Sequence, residues 1–398
     1  MLSPLRVLRR LAQMTALIAS CSVPVYAATI TVTNPNDDFS VGTLRRSVAN
    51  AQAGDTINFN LTYPAVIRFV YGVRIDKNLT ISGPGSDQLR LDGNFSDQFF
   101  MFTITPGATA TVRNVQISAS NALAIDNQGN LTLNDSVVSY NQLSLANTGT
   151  LTVNHTAFTN NLGANWGGAI KNYGQATINR SLFSHNDARI GGAAIFTDTN
   201  ATLQVNDSAF VSNGSGSFAH FGAGGALLNW GTSTVNNSTF SNNVSGPVGT
   251  GGAMENTGTL TVNSSTISRN VAMSGGSGIA NTSGTTTLRR TIVDDSCIGS
   301  TLTSAGDNRG SDSTCFANSA ALNDSQSLDL QLGTLGNHGG ATPTIALLPG
   351  SPAIDAVIVN AAGCSGTDQR GVARPLGVRC DTGAFERNPG DIFANGFE

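Results

Sequence analysis

The sequence predicts an all-β fold: a right-handed parallel β-helix with a short N-terminal capping helix and an irregular, disulfide-bearing C-terminal region. Three observations carry this expectation. A unit recurs at a near-constant interval, with Phe158, Phe183, Phe210, Phe240, Ile267 and Ile292 marking the same place in successive copies, 25, 27, 30, 27 and 25 residues apart. Each copy consists of short Thr/Val/Leu/Ile runs separated by Gly or Asn, with no helical period. The chain is 39% hydrophobic and only 12% charged, enough apolar surface for a continuous core and too little charge for a typical disordered segment.

Residues 1–27 read as an export signal. Arg6, Arg9 and Arg10 precede the apolar stretch Leu11 to Ser20, and Val25-Tyr26-Ala27 offers a small-residue cleavage site. That stretch is too short to span a bilayer as a helix, and no later segment reaches transmembrane length. Ile18-Ala19-Ser20-Cys21 also resembles a bacterial lipoprotein box, so cleavage after Ala27 and lipidation at Cys21 both stay open.

The β-helix is expected over residues 28–295, its N-terminal cap over 28–65. Thr29 to Thr33 reads as a strand. "TLRRSVANAQAG" reads as a helix with Thr43 as N-cap, Leu44, Val48 and Ala51 on one face, and Gly54 as stop. "DTINFNL" returns to strand. An amphipathic helix beside the first coil would seal the apolar core from water.

The repeats come next in the chain. "AIDNQGNLTLNDSVVSYN" begins at Ala124, "SLANTGTLTVNHTAFTNN" at Ser144 and "GGAIKNYGQATINRSLFSHN" at Gly167. "GGAAIFTDTNATLQVNDSAFVSN" begins at Gly191, "GGALLNWGTSTVNNSTFSNN" at Gly224, "GGAMENTGTLTVNSSTISRN" at Gly251 and a degraded copy at Gly276. A unit this small cannot bury its apolar face alone, but stacked copies can. Leu131, Leu151, Ala176, Leu203 and Leu260 should form one inward column and the Phe/Ile series another. Asparagines recur at two turns: Asn127, Asn147, Asn172, Asn229, Asn256 and Asn281, then Asn141, Asn161, Asn186, Asn213, Asn243 and Asn270. Asparagine tolerates left-handed backbone and can bond its own copy in the next coil, and the glycine pairs supply corners of positive φ.

Coils fade after about Val293. Residues 296–387 carry a cluster of prolines and four cysteines, Cys297, Cys315, Cys364 and Cys380, and form the expected C-terminal cap or anchor-like region; 388–398 is an acidic-aromatic tail. An even number of cysteines in an exported chain suggests two disulfides, and proximity favours Cys297–Cys315 and Cys364–Cys380. A metal site is the weaker alternative, because there is no Cys-x-x-Cys pair and only His338 lies nearby.

The motifs resemble known exported proteins. "GGAI…FSHN" and "GGAL…FSNN" resemble the GGA(I/L) and F-x-x-N repeats of the polymorphic outer-membrane protein family. "GTLRRSVANAQAGDTINF" resembles the N-terminal segment of exported bacterial β-helix proteins, and "LLPGSPAIDA…TDQRGVARP…CDTGAFE" resembles the tail of the choice-of-anchor Q group. The resemblance implies a secreted or surface β-helix of adhesin-like kind, with no catalytic residues to carry over. Polymorphic membrane proteins end in a membrane β-barrel, and nothing after Gly276 has room for eight alternating strands.

Candidate chemistry lies in columns. The residues before the first turn Asn, namely Asp126, Ala146, Lys171, Leu228, Glu255 and Ala280, read as a solvated face with charges two or more coils apart. The middle residues of the N-x-S/T steps place Asp135, His155, Arg180 and Asp207 about 5 Å apart in consecutive coils. Such a row either binds an acidic or hydroxylated glycan or is a self-compensating charge ladder. The N-x-S/T triplets at Asn130, Asn154 and Asn206 match the glycosylation acceptor but fall on repeat strands, which favours a structural role. Polysaccharide lyases and polygalacturonases share this fold class. Their clustered carboxylates have no counterpart beyond the adjacent pairs Asp37-Asp38 and Asp294-Asp295, so no catalytic residue, metal or cofactor is assigned.

Insertions concentrate between each second-turn Asn and the next glycine pair, a common place for a solenoid's binding rim. Trp166 lies in one of them, and Tyr173 and Trp230 follow turn asparagines two coils apart. Net charge of −4 argues for no basic face toward nucleic acid. The expected protein is a monomeric, non-catalytic, adhesin-like β-helix at the extracellular or outer-membrane surface of a Gram-negative bacterium, binding glycan or a cell-surface ligand through Trp166, Tyr173, Trp230 or the Asp135–His155–Arg180–Asp207 row. A polysaccharide lyase or hydrolase and a passive spacer are the alternatives.

Overall fold

The computed structural model describes residues 27–215, 222–299, 302–316, 321–358, 364–388 and 390. The export signal before Ala27, Cys21, most of the insertion after Asn213 and the tail after Gly390 lie outside the described residues. Each coil of the remainder visits three long sheets in turn. Sheet I stacks twelve strands from Thr29–Val32 to Leu302–Ser304, sheet II twelve from Ala65–Arg68 to Ser325–Gln326, and sheet III ten from Val73–Ile75 to Cys297–Gly299. Five two-residue strands, Leu162–Gly163 to Val271–Ala272, make a small fourth sheet in the glycine-pair coils. Every pairing in these four sheets is parallel, so the architecture is a parallel β-helix.

The expected columns are in register with one correction: the Phe/Ile column continues from Ile267 to Val293, and Ile292 pairs with Thr266 on the outer face of the sheet. Leu131, Leu151, Ala176 and Leu203 pair in turn, and Ser233 stands between Leu203 and Leu260. Its hydroxyl bonds the buried Asn229 side chain at 2.6 Å, which is how a polar residue is accommodated in an apolar column. The Phe158, Phe183, Phe210 and Phe240 rings stack in the interior, all fully buried.

Both turn asparagine series form buried amide ladders. In the second, each Nδ2 donates to the next coil's Oδ1 from Asn141 through Asn270 at 2.8–3.1 Å, and from Asn141 onward it also donates to a carbonyl of the coil before. The first series is interrupted at Thr197, whose buried hydroxyl has no partner among the described residues. A third ladder, unforeseen in the sequence, runs the opposite way through Asn134, Asn154, Asn179, Asn206, Asn236 and Asn263. It explains the N-x-S/T triplets at Asn154 and Asn206, whereas Asn130 lies outside it, at the start of the strand Asn130–Asn134, and donates to the Thr109 hydroxyl at 3.4 Å. The Asn side chain joins the ladder, and the Ser or Thr hydroxyl donates to that Asn's carbonyl, as Ser181 does to Asn179. The middle residue takes left-handed backbone, with φ between 45° and 52° from Asp135 to Arg290. These local bonds offset the ~1–2 kcal/mol that such a conformation costs a residue with a Cβ. In the glycine pairs that open at Gly167, Gly191, Gly224 and Gly251, only one member has positive φ; at Gly167 a Cβ would collide with the Ile170 carbonyl oxygen.

The capping helix spans Leu44–Asn50, with Thr43 as N-cap accepting from the Arg46 amide. It ends four residues before Gly54, because the Asp55 carboxylate takes the Gln52 amide and pulls the chain out of helix. Arg45 is buried in an ion pair with Asp37 at 2.7 Å, so Asp37 serves structure.

Stacking continues past residue 295, beyond the boundary expected from the fading repeats. Cys297–Gly299, Leu302–Ser304, Arg309–Gly310 and Ser325–Gln326 each extend a sheet. The Cys297–Cys315 disulfide ties the last sheet III strand to a segment that closes the core with Cys315 and Phe316. The rest does not cap the end. It folds back over the outer wall of sheet II, where Leu330, Ala346, Leu347, Ala353 and Phe385 bury Ile292. Thr239 bonds Gln369, the Ala384 amide donates to Thr266, and Asn237 donates to the Thr367 carbonyl. Cys364–Cys380 is the second disulfide, within this clamp.

Candidate functional site

The aromatic residues singled out in the sequence converge, around one that was not. Phe196 lies in the outward column of sheet III, between Lys171 and Leu228. Trp166 stacks on it with ring centroids 5.6 Å apart, Trp230 meets it edge-on at 4.9 Å and Tyr173 at 6.1 Å. Trp166 and Trp230 also touch, at 5.7 Å. Phe196 is 1% exposed, whereas Tyr173 is 42% exposed. The rings thus form an apolar second layer on the outside of sheet III, with Tyr173 as its open edge. Parallel pairing of Trp166 with Gly191, and Gly191 with Ala223, holds the loop bearing Trp166 against the coil wall.

This overturns the reading of the outward column as a solvated face. Phe196 and Leu228 are buried, and burial lowers the Lys171 pKa and raises that of Glu255, whose carboxylate accepts from Thr250 at 2.6 Å. Burial, followed by the nearby Asp198 charge, raises the Tyr173 phenol.

Beside the cluster, the outer face of sheet I holds a shallow groove of about 450 Å³ lined by Gln175, Thr177, Thr202, Gln204, Thr232 and Thr234. Tyr173 and Trp230 stand two residues before Gln175 and Thr232, at the corner where the chain passes from sheet III into sheet I. Among the described residues, no side chain of this lining finds a hydrogen-bond partner except Gln204, which reaches Asn206 at 3.4 Å. The groove's hydroxyls and amides therefore face solvent with their bonding capacity unused.

The charged row resolves into two pairs. His155 lies 4.0 Å from Asp135, and Arg180 lies 3.9 Å from Asp207. Three of the four side chains are about half exposed, where such pairs contribute at most ~1 kcal/mol. Asp207 is drawn into the C-terminal clamp, its carbonyl accepting from Thr342; burial raises its carboxyl pKa against the pull of Asn237 and Arg180.

The chain shares its fold with a pectate lyase. The crystal structure of pectate lyase Pel9A superposes with a TM-score of 0.53 over 91% of this chain and 96% of that one, at 17% identity. No family model matches the sequence, and no curated protein does. The likeness concerns the parallel β-helix alone. Among the described residues, no three His, Cys, Asp or Glu side chains gather where they could hold a metal ion, and no helix is long and apolar enough to cross a membrane. Asp294 and Asp295, the other adjacent acids, bond Ser268 and Asn270, so Asp295 continues the second amide ladder by one rung.

Proposed function

We propose that this protein is an exported, non-catalytic β-helix that binds polysaccharide at the corner between sheets III and I, in the manner of a surface adhesin. One observation carries the reading: the Trp166–Phe196–Trp230–Tyr173 cluster adjoins a groove of unpaired hydroxyls and amides. Sugar rings offer apolar faces and a hydroxyl rim. Aromatic side chains match the former with little entropy lost, and Thr and Gln match the latter. The glycine-pair coils that build the corner also carry the long insertions, and the repeats resemble those of surface-displayed proteins. The two disulfides support export. Pel9A is by name a polysaccharide-active protein, but among the described residues no carboxylate, imidazole or amine lines the groove here to act as general base.

The test is a glycan array probed with the purified chain and with Trp166→Ala/Tyr173→Ala/Trp230→Ala, checked for folding by circular dichroism. Tyr173→Ala alone removes the most exposed ring with the least disturbance of packing. A saturable signal is expected, lowered about tenfold or more in the triple variant and several-fold in the single one, because stacked rings are worth ~1 kcal/mol each. Unchanged binding by both variants would exclude this corner and turn attention to the Asp135–His155–Arg180–Asp207 row.

A further inference from the structure

The corner's composition also bears on the class of ligand, an inference that rests on the polysaccharide-binding reading. Among the described residues, neither the groove nor the aromatic cluster contains a cation. The nearest ammonium, Lys171, is half-buried in the sheet III column beside Phe196 and does not line the groove. The nearest anion, Asp198, acts on Tyr173 and would repel a negatively charged polymer. Guanidinium and ammonium groups are the ordinary means of holding carboxylates, and a calcium bridge needs clustered carboxylates. The residues that line the groove supply neither. The exposed Arg180 lies beyond the opposite end of its sheet I strand, Gln175–Asn179, and is paired with Asp207.

The outward residues of sheet I add a direction. Thr150/Thr152, Gln175/Thr177, Thr202/Gln204, Thr232/Thr234, Thr259/Thr261 and Thr285/Thr287 are in direct register from coil to coil. Parallel strands repeat every ~4.8 Å, so a polymer lying along the β-helix axis meets an equivalent pair of polar groups at each coil. Gln175 and Gln204 interrupt the threonines where the groove forms, and their longer side chains supply its walls.

We infer that the ligand is an uncharged, hydroxyl-rich polysaccharide lying along the β-helix axis, gripped by the Gln175 and Gln204 amides beside the Tyr173–Trp230 rings. The experiment is affinity electrophoresis of the full chain in gels containing a mixed-linkage glucan, a galactomannan, a dextran or polygalacturonate, each with and without added salt. Retardation by an uncharged polymer, insensitive to salt, is expected, weakened about tenfold by Gln175→Ala/Gln204→Ala, which removes two solvent-facing amides and leaves the fold intact. Salt-sensitive retardation by polygalacturonate alone would overturn this inference and leave the binding reading standing. Retardation by none of the four polymers would overturn both.

Discussion

The ring of Phe183 lies flat on that of Phe210, with centroids 4.8 Å apart and planes 4° apart. Phe158 and Phe240 extend the stack at 5.0 and 4.3 Å. These distances match the spacing of parallel strands, so register places each ring in contact with the next. Phe183→Ala would leave a cavity between two rings that cannot close toward one another, at a cost of ~3–5 kcal/mol. Phe183→Asp would put a carboxylate there with no partner, and the solenoid should lose its cooperative melt. Circular dichroism on both variants checks this. A wild-type melting temperature for Phe183→Asp would refute the column assignment.

Asp295 ends the second amide ladder where a repeat would carry asparagine, accepting from the Asn270 side chain and amide. Burial raises its pKa to about 6, against the pull of those bonds. A folded pKa above the unfolded value of ~3.9 means stability that is full below ~3.9 and lost as pH rises through about 6. The loss is at most ~3 kcal/mol at neutral pH. Asp295→Asn can accept the same bond without charge. It should raise the melting temperature at about pH 8 and flatten its decline from about pH 4. Equal slopes in variant and wild type would remove Asp295 as a source of that decline.

The Cys297–Cys315 bridge closes the far end of the core and spans 18 residues. Loop-closure entropy makes such a bridge worth ~3 kcal/mol. Cys297→Ser/Cys315→Ser should therefore lower the melting temperature and expose the Phe316 end to proteolysis first. In native material, alkylation followed by mass spectrometry should find none of Cys297, Cys315, Cys364 and Cys380 free. Four alkylated thiols would exclude both bridges.

Most of the β-helix is legible in the residues because each strand pairs with its own copy one repeat away, so sequence alignment is also spatial alignment. Phe183, Asn186 and Leu203 find their places by that rule. Phe196 escapes it: its coil carries an extra Ala in "GGAAIF" and Thr197 where its neighbours have Asn, which erases the marker that aligns the column. The clamp escapes for a different reason. Its bonds join residues as far as 118 and 135 apart, as Thr266 to Ala384 and Asp207 to Thr342, and no period announces such contacts. The third amide ladder is visible as N-x-S/T, but the motif alone does not say whether the amide faces another coil or solvent.

The chain has two tryptophans, Trp166 and Trp230, and both belong to the corner cluster. Their emission therefore reports on the proposed site alone. The decisive measurement is a fluorescence titration of the purified chain with the polysaccharide that retards it most, with reducing ends assayed in the same samples. A binding corner without catalysis predicts a saturable change in tryptophan emission, diminished in Tyr173→Ala, with no growth in reducing ends. Emission that stays constant while the polysaccharide binds would place the ligand elsewhere, and steady release of new reducing ends would make the protein an enzyme.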